Sequence, residues 1–228
     1  MSQVSSWVAR WAPVVPAGEV LDLACGTGRH ARHFAALGHA VLAVDRDAEA
    51  LALAAGQGIV TQQFDLESDK MGSGPQDQTP VPIRAANQGL GSGPADLTPG
   101  LSPPRNQSGS GPADLTPFTP GRYAGIVVTN YLHRPLMAQL AASLRPDGVL
   151  IYETFAIGNE AFGKPSNPAF LLAPGELLDI ARACGLRVLA FEDGYTATPK
   201  PAMVQRLCAC GPVFPVRNAL LDSFEHDF

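Results

Sequence analysis

The chain is poor in the features that mark secreted, membrane-bound or metal-holding proteins. Its 228 residues include four cysteines, Cys25, Cys184, Cys208 and Cys210, and no Cys-x-x-Cys pair. That spacing argues against a disulfide framework or a thiolate metal site, so the four are read as small buried apolar side chains and no metal is expected. Cys208 and Cys210 alternate along an apparent strand and so face one side of it. No apolar run reaches the ~18 residues of a membrane span. The opening Met1-Ser-Gln-Val-Ser-Ser6 lacks the charged and apolar regions of a secretory leader, which makes a cytoplasmic location the expectation. Basic excess is missing too. Sixteen Lys plus Arg against 21 Asp plus Glu leave a net charge of −5, which argues against a nucleic-acid partner. What remains is a chain of ordinary single-domain length, 1–228, with enough material for a full core.

The information is concentrated at residues 19–31. Val20, Leu21 and Leu23 suit a buried central strand, which breaks at Ala24-Cys-Gly-Thr-Gly28 before a helix begins near Arg29. Gly26 and Gly28 let the backbone turn sharply and approach a ligand with no Cβ in the way. The helix start leaves free N–H donors aimed at that ligand, and Asp22 brings a carboxylate beside the same spot. At Cys25 the backbone, not the thiol, belongs to the cradle. Upstream, 5–11 reads as a serine-capped helix with Trp7 and Trp11 on one face, stopped by Pro13. Downstream come a helix at 29–37 closed by Gly38, a strand at 40–45, a helix at 48–55 ended by Gly56, and a strand at 58–65. This β-α-β-α-β rhythm predicts an α/β fold with a doubly wound, right-handed parallel sheet.

Between residues 68 and 121 the texture changes to Gly, Pro, Ser, Asp, Gln and Thr with almost no apolar periodicity. Residues 91–99 recur identically at 109–117, and 72–80 match them at seven of nine positions. Such a composition buries too little apolar surface to offset chain ordering, so 68–121 is expected to be a disordered, low-complexity insertion. A proline-rich docking segment is the alternative, whereas a solenoid is excluded because no unit offers a core face. Order resumes with a strand at 123–129, a helix at 135–144, a turn at Arg145-Pro-Asp-Gly148 and a strand at 149–155. A loop at 156–172, a helix at 174–184 and strands at 186–192 and 202–210 follow, and 212–228 is left unassigned.

Ligands of doubly wound sheets sit beyond the C-terminal ends of the strands. That rule selects 22–28, Asp45 and Arg46, Phe64 to Leu66, Asn130 and Tyr131, and Glu153 and Thr154. Asp45 ends its strand about 20 residues past the cradle, where an acid accepts both hydroxyls of a ribose. Its other reading is a helix cap, a role for which Asp47 is better placed. His133, Tyr152 and Glu153 are titratable groups able to orient or deprotonate a nucleophile, although His133 is equally a helix cap. His30 and His33 are read as structural or exposed.

The order Asp22-x-Ala24-x-Gly26-x-Gly28 resembles motif I, D/E-x-G-x-G-x-G, of the class I S-adenosylmethionine-dependent methyltransferases, with Ala24 replacing the first glycine. Asn130-Tyr-Leu-His-Arg-Pro135 and Glu153-Thr-Phe-Ala-Ile-Gly-Asn-Glu160 are similar to a small bacterial branch, as are Gly163-Lys-Pro-Ser-Asn-Pro168 and Phe170-Leu-Leu. That branch is grouped loosely with tellurite-resistance-type methyltransferases. The resemblance spans 18–67 and 122–210. It implies a Rossmann-like methyltransferase sheet of seven strands, mostly parallel, with the last antiparallel. It also implies S-adenosylmethionine as cofactor and an unidentified small-molecule methyl acceptor. Cofactor contacts would come from Asp22, Ala24, Cys25, Gly26, Gly28, Asp45, Arg46, Asp65, Leu66 and Asn130. Asp22 would reach the methionine amine, Asp65 the adenine amino group, and Leu66 N–H a ring nitrogen. Asp65 is otherwise a solvent-facing acid. Asn130 and Tyr131 would flank the sulfonium, with Tyr131 alternatively a core wall. The loop at 156–172 would form the acceptor mouth, with Asn159, Lys164 and Asn167 as polar contacts. Asn130, Tyr131, His133 and Glu153 are the catalytic candidates, yet displacement from a sulfonium mainly needs alignment, and no universal base is implied. Two rivals stay open. A catalytically silent cofactor binder would keep the fold, and a nicotinamide oxidoreductase would use Gly26 and Gly28, against the missing third glycine.

Overall fold

Each apolar run becomes one strand of a single seven-stranded sheet, in the order β3-β2-β1-β4-β5-β7-β6. The computed structural model describes residues 3–67 and 116–218. Strands β1 (Glu19–Leu23), β2 (Ala40–Asp45), β3 (Ile59–Gln63), β4 (Tyr123–Thr129) and β5 (Leu144–Phe155) run parallel. β7 (Ala202–Cys210) lies antiparallel between β5 and β6 (Arg187–Thr196). Helices α1 (Ser6–Trp11), α2 (Arg29–Ala36), α3 (Ala48–Ala54), α4 (Met137–Ser143) and α5 (Glu176–Ala183) complete the set. Every residue of β4 is buried, as are residues 20–23 of β1, because helices on both faces of a parallel sheet demand continuous apolar runs.

The chain order reverses between β1 and β4, so the C-terminal ends of β1, β2, β3 and β4 open onto one crevice, the position such sheets reserve for ligands. On one face α1 buries Trp7 and Trp11, whose rings meet edge to face at 5.8 Å, and Trp7 Nε1 donates to Leu207 O at 3.2 Å. The expected serine cap forms, with Ser5 Oγ accepting from Trp7 N. All four cysteines are free, and Cys25, Cys208 and Cys210 are buried. Among the described residues no helix is long and apolar enough to cross a membrane.

Three boundaries differ from the expectation. The helix foreseen from residue 135 opens as a 3-10 turn, Arg134–Leu136, with α4 following from Met137. β5 starts at Leu144, running through the foreseen turn at 145–148 by a register shift against β4. β6 continues to Thr196 because β7 pairs with it that far. The foreseen insertion also loses its last six residues to the folded body. Tyr123 Oη donates to Pro117 O at 2.6 Å, Phe118 meets Phe64 edge-on, and Gly121 N donates to Ala142 O. Residues 68–115, with most of the repeat, lie outside the described residues.

Candidate functional site

Residues from the ends of four strands enclose a cavity of about 220 Å³. Ala24 follows β1, Asp45 and Arg46 follow or end β2, Phe64, Asp65, Leu66 and Glu67 follow β3, and Tyr131 follows β4. Six of the expected ligand residues are thus brought together, and Phe64 joins them from the strand-end rule. Glu67 was missed: an acid bordering a low-complexity stretch carries no signal of its own.

The bend that shapes one wall runs through three left-handed residues: Ala24 at φ 53°, Gly26 at 53° and Gly28 at 74°. Ala24 bears a Cβ in that region and so stores strain of about 1–2 kcal/mol. The two glycines serve different ends. A Cβ on Gly26 would meet nothing within 4 Å, which leaves that face of the bend open. A Cβ on Gly28 would stand 2.5 Å from Ala54 Cβ, so this glycine lets α3 pack against the bend. Cys25 is held by its backbone: its N donates to Val44 O and its O accepts from Gly28 N, both at 3.0 Å.

Asp45 braces the bend while lining the cavity. Its Oδ2 accepts from Gly26 N at 2.7 Å and its Oδ1 from Asp47 N at 3.0 Å. Asp47 is the cap of α3, taking Glu49 N and Ala50 N. A carboxylate has about four acceptor positions, so Asp45 retains capacity for a ligand. Asp65 Oδ1 accepts from Glu67 N at 3.0 Å and Leu66 is buried. Asp22 does not reach the cavity. It is 1 % exposed, and Oδ2 accepts from Ala31 N at 2.8 Å, clasping the first turn of α2. Burial raises its carboxyl to about 7, against the Ala31 N–H and the Arg29 charge.

The catalytic candidates separate. Tyr131 is on the cavity wall, and its hydroxyl is buried with no hydrogen-bond partner among the described residues. Asn130 adopts φ 56° and its N donates to Glu153 O, but it does not line the cavity. His133 is half-buried, off the wall, and makes no side-chain cap. Tyr152 is buried and donates to Tyr131 O at 2.8 Å, fastening that residue. Glu153 lies off the cavity wall in an ion pair, where Oε2 accepts from Arg206 Nε at 2.7 Å and from Ser5 Oγ at 3.0 Å.

Behind Glu153 stands a polar chain that sequence reasoning missed. Ser5 N donates to His30 Nε2 at 3.3 Å, which leaves the His30 hydrogen on Nδ1, 3.4 Å from Thr129 Oγ1. Burial, with Arg29 and His33 nearby, pushes His30 down to about 3, so the ring is neutral at pH 7. The expected acceptor mouth is also braced internally. Asn159 is buried between Pro165 O and Met203 N, Asn167 caps a 3-10 turn, and Lys164 is exposed. Arg134 holds that loop through Glu176, Ala169 O and Leu171 O. Among the described residues no group of three metal-ligating side chains converges.

The same fold recurs in solved structures. TehB from Haemophilus influenzae superposes with a TM-score of 0.61 at 14% identity, over 92% of this chain and 63% of that one, so the chain spans less than two thirds of its length. An S-adenosylmethionine dependent methyltransferase from Mesorhizobium loti gives 0.57 at 15% identity, over 91% and 98%. The Burkholderia thailandensis 1,6-didemethyltoxoflavin-N1-methyltransferase, with bound 1,6-didemethyltoxoflavin and S-adenosylhomocysteine, gives 0.52 at 16%, over 90% and 76%. No curated protein matches the chain. Identities this low show the fold alone, but residues 2–162 match the methyltransferase domain family. With the greater part of its length so matched, the chain belongs to the methyltransferase domain family.

Proposed function

We propose that the chain transfers a methyl group from S-adenosylmethionine to a small-molecule acceptor. The observation that carries this is the cavity at the switch point, where the Asp45 carboxylate, half-buried and with acceptor capacity to spare, stands beside the left-handed bend. The residues fit the cofactor. Asp45 would take ribose hydroxyls, Asp65 and Leu66 would hold the base, and the open face at Gly26 would accommodate the amino-acid half. A volume near 220 Å³ is below the roughly 300–1,000 Å³ usual for whole-ligand pockets, which suits the nucleoside portion.

Bound S-adenosylmethionine supplies the electrophilic methyl. What the chain supplies is alignment, worth several orders of magnitude in such displacements. Of the catalytic candidates, neither Tyr131 nor Glu153 is suited to act as a base. Burial pushes the Tyr131 phenol up, with Glu67 and Asp65 adding to the effect, and the Glu153 carboxylate is committed to Arg206 and Ser5. The acceptor therefore brings its own nucleophilic lone pair. The name of the Burkholderia neighbour, an N1-methyltransferase, supports a small acceptor of that kind. A second reading, the fold kept without methyl transfer, is favoured by one neighbour, the [4+2]-cyclase SpnF, at a TM-score of 0.56.

Calorimetry with S-adenosylmethionine and with NAD tests the cofactor, and label transfer from a methyl-labelled donor into a metabolite pool tests the reaction. Binding without label transfer selects the second reading. Binding of NAD alone overturns both.

A further inference from the structure

We infer that the Tyr131 hydroxyl donates a hydrogen bond to a ring nitrogen of the cofactor's adenine and sets this chain's preference for that base. The inference rests on the proposal that S-adenosylmethionine is the cofactor. The family resemblance placed Tyr131 beside the sulfonium. The structure instead sets its phenol on the wall shared with Asp45, Arg46, Asp65 and Glu67, and these four residues carry the charges that act on it. That is the β2–β3 side of the crevice, the side of ribose and base.

Its oxygen is buried, without a hydrogen-bond partner among the described residues. A buried hydroxyl left unpaired is a net cost to the fold, and such groups call for an explanation. Tyr131 has little freedom to find one elsewhere. Its carbonyl is held by Tyr152 Oη, and the preceding Asn130 is fixed at φ 56° with its N–H on Glu153 O.

The chemistry of the wall then identifies the missing partner. Asp45, Asp65 and Glu67 only accept when ionised. They suit the amino group of adenine and the hydroxyls of ribose, and with Leu66 N–H able to serve only one of the ring nitrogens, which are acceptors, the others are left without a donor. A phenol kept protonated by burial among carboxylates is a neutral O–H donor in that place. Hypoxanthine, with a carbonyl at position 6 and a hydrogen on N1, reverses the pattern and would set its carbonyl against the acids.

The substitution Tyr131→Phe removes the hydroxyl and keeps the ring. It yields two effects of opposite sign. The ligand-free variant melts at a higher temperature than the wild type, because an unpaired buried group is gone. Its affinity for S-adenosylhomocysteine falls about 5–10-fold, the scale of one net hydrogen bond. Calorimetry of the full chain against the 1-deaza, 3-deaza and 7-deaza analogues finds the nitrogen. One analogue weakens binding to the wild type by that same factor and weakens binding to the variant no further. S-inosylhomocysteine binds the wild type more weakly than S-adenosylhomocysteine, and the gap narrows in the variant. Equal affinity of wild type and variant for S-adenosylhomocysteine overturns the inference while leaving the cofactor standing, as does a uniform loss across all the analogues. A folded wild type that binds neither S-adenosylmethionine nor S-adenosylhomocysteine overturns the cofactor and the inference together.

Discussion

Two buried titratable side chains, Asp22 in a strand and His30 in the helix that follows it, shape how stability depends on pH, and they act in opposite directions. Asp22 has its folded carboxyl raised from 3.8 to about 7 by burial. Its contribution to stability is fully present below about 4 and is lost as pH rises towards 7. His30 is lowered from 6.5 to about 3, again by burial first. Its contribution is present above 6.5 and is lost as pH falls towards 3. The two windows overlap, so the wild type conceals much of each effect. Replacing one at a time exposes the other. Relative to wild type, Asp22→Asn gains stability as pH rises from 4 to 7, and His30→Gln gains as pH falls across the same range. Melting temperature against pH, followed by circular dichroism, checks both slopes; two flat difference curves contradict the burial argument. Neither group's behaviour was legible in the sequence. Asp22 was visible as an acid next to a turn, but its burial depends on β2 and β4 flanking β1.

At the level of elements, the strand–turn–helix unit separates two glycines that the sequence presents as equivalents. Gly28→Ala drives a Cβ to 2.5 Å from Ala54 on α3, and overpacking of this kind typically costs about 1–3 kcal/mol, with the left-handed φ adding to it. Gly26→Ala meets no neighbour within 4 Å, so only the backbone penalty of about 1 kcal/mol applies, and the new methyl occupies the open face of the bend. Chemical denaturation therefore ranks Gly28→Ala as the less stable variant, whereas S-adenosylmethionine affinity per folded molecule falls more in Gly26→Ala. The β5–β7–β6 ladder shows why other features were hidden. Glu153 and Glu192 both sit opposite Arg206 in the antiparallel register, a relation no linear spacing encodes. Ser5 reaches Glu153 from 148 positions away. The C-terminal strand ends were legible because apolar runs end where ligand sites begin; the pairing of charges across strands needs the register first. Glu153→Gln accordingly lowers stability by about 1–3 kcal/mol, leaving Arg206 with one charged partner fewer, and a kcat pH profile identical to wild type separates this bracing role from that of a base.

Across the whole molecule, the parallel strands and the crevice at the β1–β4 reversal follow from alternation of strand and helix, whereas the antiparallel β7, which follows β6 with no helix between them, was foreseen only through the family resemblance; the cavity forms where that topology puts it. Its wall joins segments from residue 24 to residue 131, so a ligand there cross-links both halves of the sheet. Anything bound to the folded state alone stabilises it by RT ln(1 + [L]/Kd), about 2.7 kcal/mol at one hundred times Kd. For a chain of this size that corresponds to a rise of roughly 5–10 °C in melting temperature. S-adenosylmethionine at that excess is expected to produce such a rise in the wild type, and NAD none. Asp45→Ala removes the acid that both braces Gly26 and faces the cavity, a loss of about 1.5–3 kcal/mol for hydrogen bonds to a charged group. At the same ligand concentration its ligand-induced shift falls to less than half that of the wild type. A full-sized shift in Asp45→Ala would place the cofactor somewhere other than this crevice.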